Sequence, residues 1–160
     1  MAPPSIAALA GFGALVSGAA AYGARYTPDR PTTRAWYAAL EKPPFNPPKA
    51  VFPPVWTLLY GLIAVSGWRV WHRAPSTRRS AALALWGAQL VTNAAWSKLF
   101  FGAKRPRAAL ADVAGLLALI GAYAAVAREV DEPAAWLMAP YGAWVAFATL
   151  LNEEIVRRNG

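Results

Sequence analysis

Trp86, Gln89, Asn93 and Trp96 follow one another at intervals of three, four and three residues, inside a stretch with almost no charge. Side chains at that spacing share one face of a helix. Indoles stack on flat rings, and carboxamides both donate and accept hydrogen bonds. The chemistry on offer is therefore non-covalent recognition, with no bond-making group. Two further stripes have a similar character. Phe52, Trp56, Tyr60 and Ile63 form one, and Leu137, Tyr141, Trp144, Ala148 and Leu151 form the other. If the three faces converge, they enclose a cavity suited to a flat, aromatic, amphipathic ligand, stacked on indoles and oriented by a few amides. The same stripes also serve simple helix packing, and pattern alone leaves the two readings level. Trp68, Trp71 and Trp136 stand where apolar runs end and read as interfacial belt residues; Trp86 fits either class.

Covalent catalysis and metal chemistry find little to work with. The chain has no cysteine, which removes disulfides, thiolate nucleophiles and thiolate metal sites. Its only histidine, His72, lies beside Arg73 in a basic segment, and Met138 is one of few other candidate axial ligands for haem. No Ser-His-Asp set, paired interior carboxylates, phosphate loop or metal cluster can be assembled, so no metal and no obligatory cofactor is expected. Asp112 invites a proton-relay role, but its place near the basic third loop fits an interfacial residue better, paired with Arg105 or Arg107. Glu129, Asp131 and Glu132 read as a solvated loop.

The elements that must position these stripes are membrane helices. Of 160 residues, 57% are hydrophobic and only 15% charged, against about 25% charged in soluble domains. The formal charge of +8 does not indicate nucleic acid, because Lys and Arg fall between apolar spans instead of forming one face. A bilayer core needs roughly 20 apolar helical residues. Five stretches qualify, giving an all-α membrane protein built as a five-transmembrane-helix bundle in one domain: residues 5–22, 50–68, 80–101, 108–127 and 133–152. Without a basic leader, the first run reads as a helix and not a cleaved signal. Pro140 inside the fifth span predicts a kink. The spacing of Ala10, Ala14 and Gly18 allows close contact, within the bundle or at a dimer seam.

Residues 23–49 form the one long connection, with the run Lys42-Pro43-Pro44-Phe45-Asn46-Pro47-Pro48. Proline fixes φ and restricts its predecessor, so this loop reads as a stiff strap. Eleven of the sixteen Lys and Arg residues share a side with this loop and the C-terminus, against five on the other. The loop and C-terminus therefore face the cytoplasm.

The order of several motifs resembles the TspO translocator family, also known as tryptophan-rich sensory proteins or the peripheral benzodiazepine receptor. They are Trp36-Tyr37-Ala38-Ala39-Leu40-Glu41-Lys42-Pro43, Asn46-Pro47-Pro48, Val55-Trp56, Leu59-Tyr60, Gln89-Leu90, Asn93, Trp96-Ser97, Phe100-Phe101, Pro140-Tyr141, Trp144, Phe147-Ala148 and Leu151-Asn152. The resemblance implies a five-helix, homodimeric bundle whose cavity opens toward the first loop and takes porphyrins, other tetrapyrroles, sterols in some members, and benzodiazepine-type compounds. By matched position, Trp36 and Trp144 resemble the tryptophans of light-dependent porphyrin breakdown, the one catalytic role available. Trp56, Gln89, Asn93 and Ala148 resemble cavity-lining positions, and Pro47 and Pro48 resemble lid-shaping prolines. Receptor or sensor, porphyrin-degrading catalyst, and transporter are the activities the resemblance carries. The segment 151–157 has glutamates where animal members place a sterol-recognition tyrosine, which puts sterol binding in doubt. That departure and the short tail point to a bacterial-type member in a cytoplasmic membrane, not a mitochondrial outer membrane.

Overall fold

The computed structural model describes residues 5–160, whose regular elements are all helices, with no strand among them. Helix α1 (Ile6–Gly23) starts at Ser5, whose side chain accepts from the Ala8 N–H. Within the following loop lies α2 (Pro31–Ala39), begun by a proline at its first position, where no N–H is needed. A 3₁₀ turn (Lys49–Val51) leads into α3 (Phe52–Trp71), with Pro53 and Pro54 in its first turn. Then come α4 (Thr77–Ser97), capped by Ser76, a π-helical turn (Lys98–Gly102) and α5 (Pro106–Arg128). Short α6 (Glu132–Leu137) and long α7 (Ala139–Asn159) complete the chain.

The strap at 23–49 includes a short helix, since nine of its residues wind into α2, and Pro43–Asn46 closes a turn through the Asn46 N–H and the Pro43 carbonyl. One expectation needs correcting: the fifth span is not one kinked helix. It divides at Met138 into α6 and α7, so Pro140 falls in the first turn of a new helix, where it has no rung to break.

Among the described residues, four stretches are long and apolar enough to cross a membrane: Ile6–Gly23, Lys49–Trp71, Pro106–Arg128 and Glu132–Asn159. Helix α4 has the length but not the apolarity, because Ser80, Gln89, Thr92 and Asn93 interrupt it. The five long helices close a ring in which α1 packs on α3 and α4, α4 on α5, α5 on α7, and α7 on α3.

The end of the ring away from the long loop is shut. Gly67 of α3 lets the buried Trp86 and Phe12 approach so closely that a Cβ there would meet them at 2.7 and 2.8 Å. Trp86 is thus a core residue, and its Nε1 donates to the Ile63 carbonyl at 2.9 Å. Beside it, the Ser66 hydroxyl donates to the Ala134 carbonyl at 2.7 Å and, its single proton so committed, accepts from Tyr123 at 2.7 Å. Asp131, expected in a solvated loop, is instead buried. Its carboxylate takes Arg69 Nε at 2.9 Å, the Ala134 N–H at 2.8 Å and the Arg73 guanidinium. Burial alone would push this carboxyl up; the hydrogen bonds from Arg69, Ala134 and Arg73 outweigh it and hold the pKa below its ordinary value.

Candidate functional site

The other end of the ring holds a cavity of about 440 Å³, within the range of small-molecule sites. Helix α3 contributes Phe52, Trp56 and Tyr60 to its wall, helix α4 Asn93 and Trp96, and helix α7 Trp144, Ala148, Leu151 and Asn152. The three predicted stripes therefore do converge, each from its own helix.

Amides on this wall are already oriented. Tyr60 donates its hydroxyl proton to Asn93 Oδ1 at 3.0 Å, and Asn93 Nδ2 donates to the Tyr141 hydroxyl oxygen at 3.0 Å. Asn93 thus bridges α3 and α7 with its amide plane fixed. Lower down, Trp96 Nε1 donates to Asn152 Oδ1 at 3.1 Å, and Asn152 Nδ2 donates to the Pro106 carbonyl at 2.9 Å. One donor of each amide and parts of the oxygen lone pairs stay free.

The aromatic walls owe their arrangement to the π turn, in which the Ala103 N–H bonds to the Lys98 carbonyl at 2.7 Å. Phe100 stands four residues after Trp96 and stacks on it, with centroids 5.0 Å apart. Phe101 stands five residues after Trp96, and the widened turn brings it edge-on to the same indole at 5.8 Å. Both phenylalanines line the cavity. Across from them, Trp144 packs edge-on against Phe52 at 5.8 Å, and Trp56 against Tyr141 at 6.2 Å.

The first loop covers the mouth with Tyr26, Thr27, Pro28, Asp29, Tyr37 and Asn46. Lys49 lies at the rim and pairs with Asp29 at 2.5 Å. That hydrogen bond holds the Asp29 carboxyl below its usual range. Burial pushes the Tyr37 phenol up, and Asp29 adds to the effect. The loop is pinned twice. Thr33 Oγ1 donates to the Phe101 carbonyl at 3.3 Å, while Glu41 and Asn159 exchange a reciprocal pair of hydrogen bonds at 2.9 and 3.0 Å.

Of the residues singled out from the sequence, Trp56, Asn93, Trp96, Trp144, Ala148 and Leu151 share the cavity wall. Tyr141 is fully buried behind Asn93 and supports it. Gln89 faces inward as expected but lies deeper than the cavity, with neither amide atom partnered. Pro47 and Pro48 flank the lining residues Asn46 and Lys49 without lining it themselves. Trp36 is outside, edge-on to the far side of Phe100 at 5.8 Å. Arg34 is turned to the Asp29 carbonyl, and Lys42 to the carbonyls of Tyr37 and Leu40. The cation at the mouth is Lys49. Sequence reasoning missed Phe100, Phe101, Asn152 and Ile155 as wall residues; for the last two, Asn152 stands four residues after Ala148 on the same face, and one more turn past Leu151 reaches Ile155.

The profile of the TspO/MBR family matches residues 7–158. The chain is 38% identical over 167 residues to the translocator protein of Bos taurus, covering 100% of this chain and 97% of that one. It is 38% identical over 164 residues to the translocator protein of Homo sapiens, covering 99% and 94%. With the tryptophan-rich sensory protein of Cereibacter sphaeroides it shares 39% identity over 137 residues, covering 86% and 82%.

Proposed function

The chain belongs to the TspO/MBR family of integral, multi-pass membrane proteins, and on that premise we propose that it is a receptor for porphyrins or related tetrapyrroles. Its sensory output would regulate tetrapyrrole or stress responses. The observation that carries this reading is the cavity itself: aromatic faces from three helices surround two pre-oriented amides. A porphyrin ring would lie against Trp144 and Trp56, with a polar edge on Asn93. A propionate would reach Lys49 by displacing Asp29. Receptor action is favoured over a through-path because the opposite end is filled by Trp86 and the Asp131 cluster. Light-dependent breakdown beside Trp144 remains the second reading, with Trp36 reaching the ligand only through Phe100.

We place five crossings in the bilayer, α4 included. Its amides Gln89 and Asn93 turn inward while Ala81, Ala84, Ala88 and Val91 face out, and the Thr92 hydroxyl is returned to the Ala88 carbonyl at 3.0 Å, so the carboxamides that lower its hydropathy do not meet lipid. The long loop and C-terminus face the cytoplasm of a bacterial-type membrane by the excess of Lys and Arg. A homodimer fits the outward placement of Ala10, Ala14 and Gly18. Because the chain lacks cysteine, single cysteines placed at Ser76 and Asn159 and labelled with a membrane-impermeant maleimide report the sidedness directly.

Titrating purified protein with protoporphyrin should quench tryptophan emission saturably. Ala148→Phe, which fills the cavity, should abolish the quench, and Trp56→Phe with Trp144→Phe should weaken affinity roughly tenfold. Unchanged affinity in Ala148→Phe would overturn the proposed site.

A further inference from the structure

A second recess, of about 420 Å³, lies at the same end of the bundle but outside the ring. Trp36 and Leu40 of α2 form one wall, and Ile155 and Val156 of α7 form another. The third is the start of α5, where Arg105 and Arg107 stand at the rim on either side of Pro106. Both arginines are exposed, and neither has a carboxylate or side-chain hydrogen-bond partner among the described residues. The neighbouring Arg157 and Arg158 differ, since both are taken up by Glu154.

We propose that this recess is a binding site for one anionic phospholipid, its phosphate held by Arg105 and Arg107 and the upper part of an acyl chain lying against Trp36, Leu40 and Val156. Charge complementarity and position argue for this occupant together. Two unneutralised guanidiniums call for an anion with several acceptor oxygens, which a phosphate diester offers in a form that arginine engages bidentately. The apolar walls exclude a free inorganic anion as the whole ligand, because it would leave Trp36 and Leu40 facing nothing apolar. The recess also sits where α5 and α7 leave the bilayer, at headgroup depth, and a basic pocket between membrane helices on this side is where anionic headgroups settle. The inference rests on membrane placement and not on the tetrapyrrole reading, and it gives Trp36 a role away from the central cavity.

The test is native mass spectrometry of protein released from detergent after titration with phosphatidylglycerol or phosphatidylcholine. One phosphatidylglycerol should be retained preferentially over phosphatidylcholine. Arg105→Gln with Arg107→Gln should weaken that retention roughly tenfold or more. Ala108→Trp, which fills the recess and keeps both charges, should weaken it comparably. Arg78→Gln with Arg79→Gln, at the opposite end, should leave it unchanged, and protoporphyrin affinity should hold in all three variants. Equal retention of the two lipids, full retention in Ala108→Trp, an equal loss in the Arg78/Arg79 control, or competition by glycerol phosphate as strong as by the whole lipid would each overturn the proposal.

Discussion

The two ends of the ring solve the same problem in opposite ways. Both bring polar groups into a bundle whose outside is lipid, where an unpartnered donor costs several kcal/mol. At the closed end the Asp131 carboxylate, the Ser66 hydroxyl, the Tyr123 phenol and the Trp86 indole each meet a named partner, while Gln89, between the two ends, is left without one. At the cavity end the amides of Asn93 and Asn152 are held in place but keep hydrogen-bonding capacity in reserve. The difference separates a region built to stay folded from one built to accept a guest. Stability should thus respond chiefly to changes at the closed end, and ligand affinity to changes at the other.

The sharpest way to break this contrast is Asp131→Ala. It strands Arg69 and Arg73 and removes the cap of α6. Because both arginines are partly solvated, the expected loss is about 3 kcal/mol, at the lower edge of the range for a broken buried pair. Thermal unfolding in detergent measures it, and protoporphyrin affinity should be retained. A loss of affinity as large as the loss of stability would show that the ends are not separable.

The same residue predicts a pH response. Its folded pKa is lowered below the ordinary 3.8, so its contribution is complete above the unfolded value and is lost as pH falls through the folded one. Wild-type melting temperature should therefore drop below about pH 4, with the Asp131 part of that drop missing in Asp131→Ala.

Gly67→Ala should come next, at about 2 kcal/mol. The added methyl would meet the Trp86 ring at 2.7 Å, and that ring is tethered to Ile63 and cannot swing aside. Differential scanning fluorimetry with the ligand present and absent would show the same offset in both. The smallest effect lies at the cavity end. Lys104 sits at φ 55°, a conformation an L-residue holds at a cost of roughly 1 kcal/mol. Lys104→Gly should raise stability by up to about that amount, with the increase read in the same melts.

Where sequence reasoning succeeded, it relied on charge and periodicity. Four of the spans are found as apolar helices because lipid tolerates so few charges, and the cavity stripes because a face of a helix repeats every three or four residues. Its errors have the same source. Helix α7 runs to Asn159, past the predicted end at 152, because Glu154 pairs with Arg157 and Arg158 one turn on and lets the helix continue beyond the apolar core. Helix α2 does present Trp36 and Tyr37, with Leu40 at its C-cap, on one face packed on the Phe100 cluster, but with nine residues it is too short for that pattern to stand out from the loop around it. Trp36 shows the deeper limit: residue type and spacing say what a loop residue can do, but only the loop's path through space decides which recess it reaches. Asp131 was misread for the converse reason, since its partners Arg69 and Arg73 lie some sixty residues away in sequence.

The π turn after Ser97 carries one more consequence. Over Lys98–Gly102 the chain fits an additional residue into the rise that an ordinary turn would occupy. A helical wheel drawn at a constant angle from Thr77 therefore slips out of phase at this point, and the two adjacent phenylalanines can both reach Trp96 only because of the slip. When relatives are aligned across this segment, a one-residue gap there would be a change of geometry and not of length alone. The deleted form would keep Phe–Phe in its text and lose one of the two rings from the cavity wall.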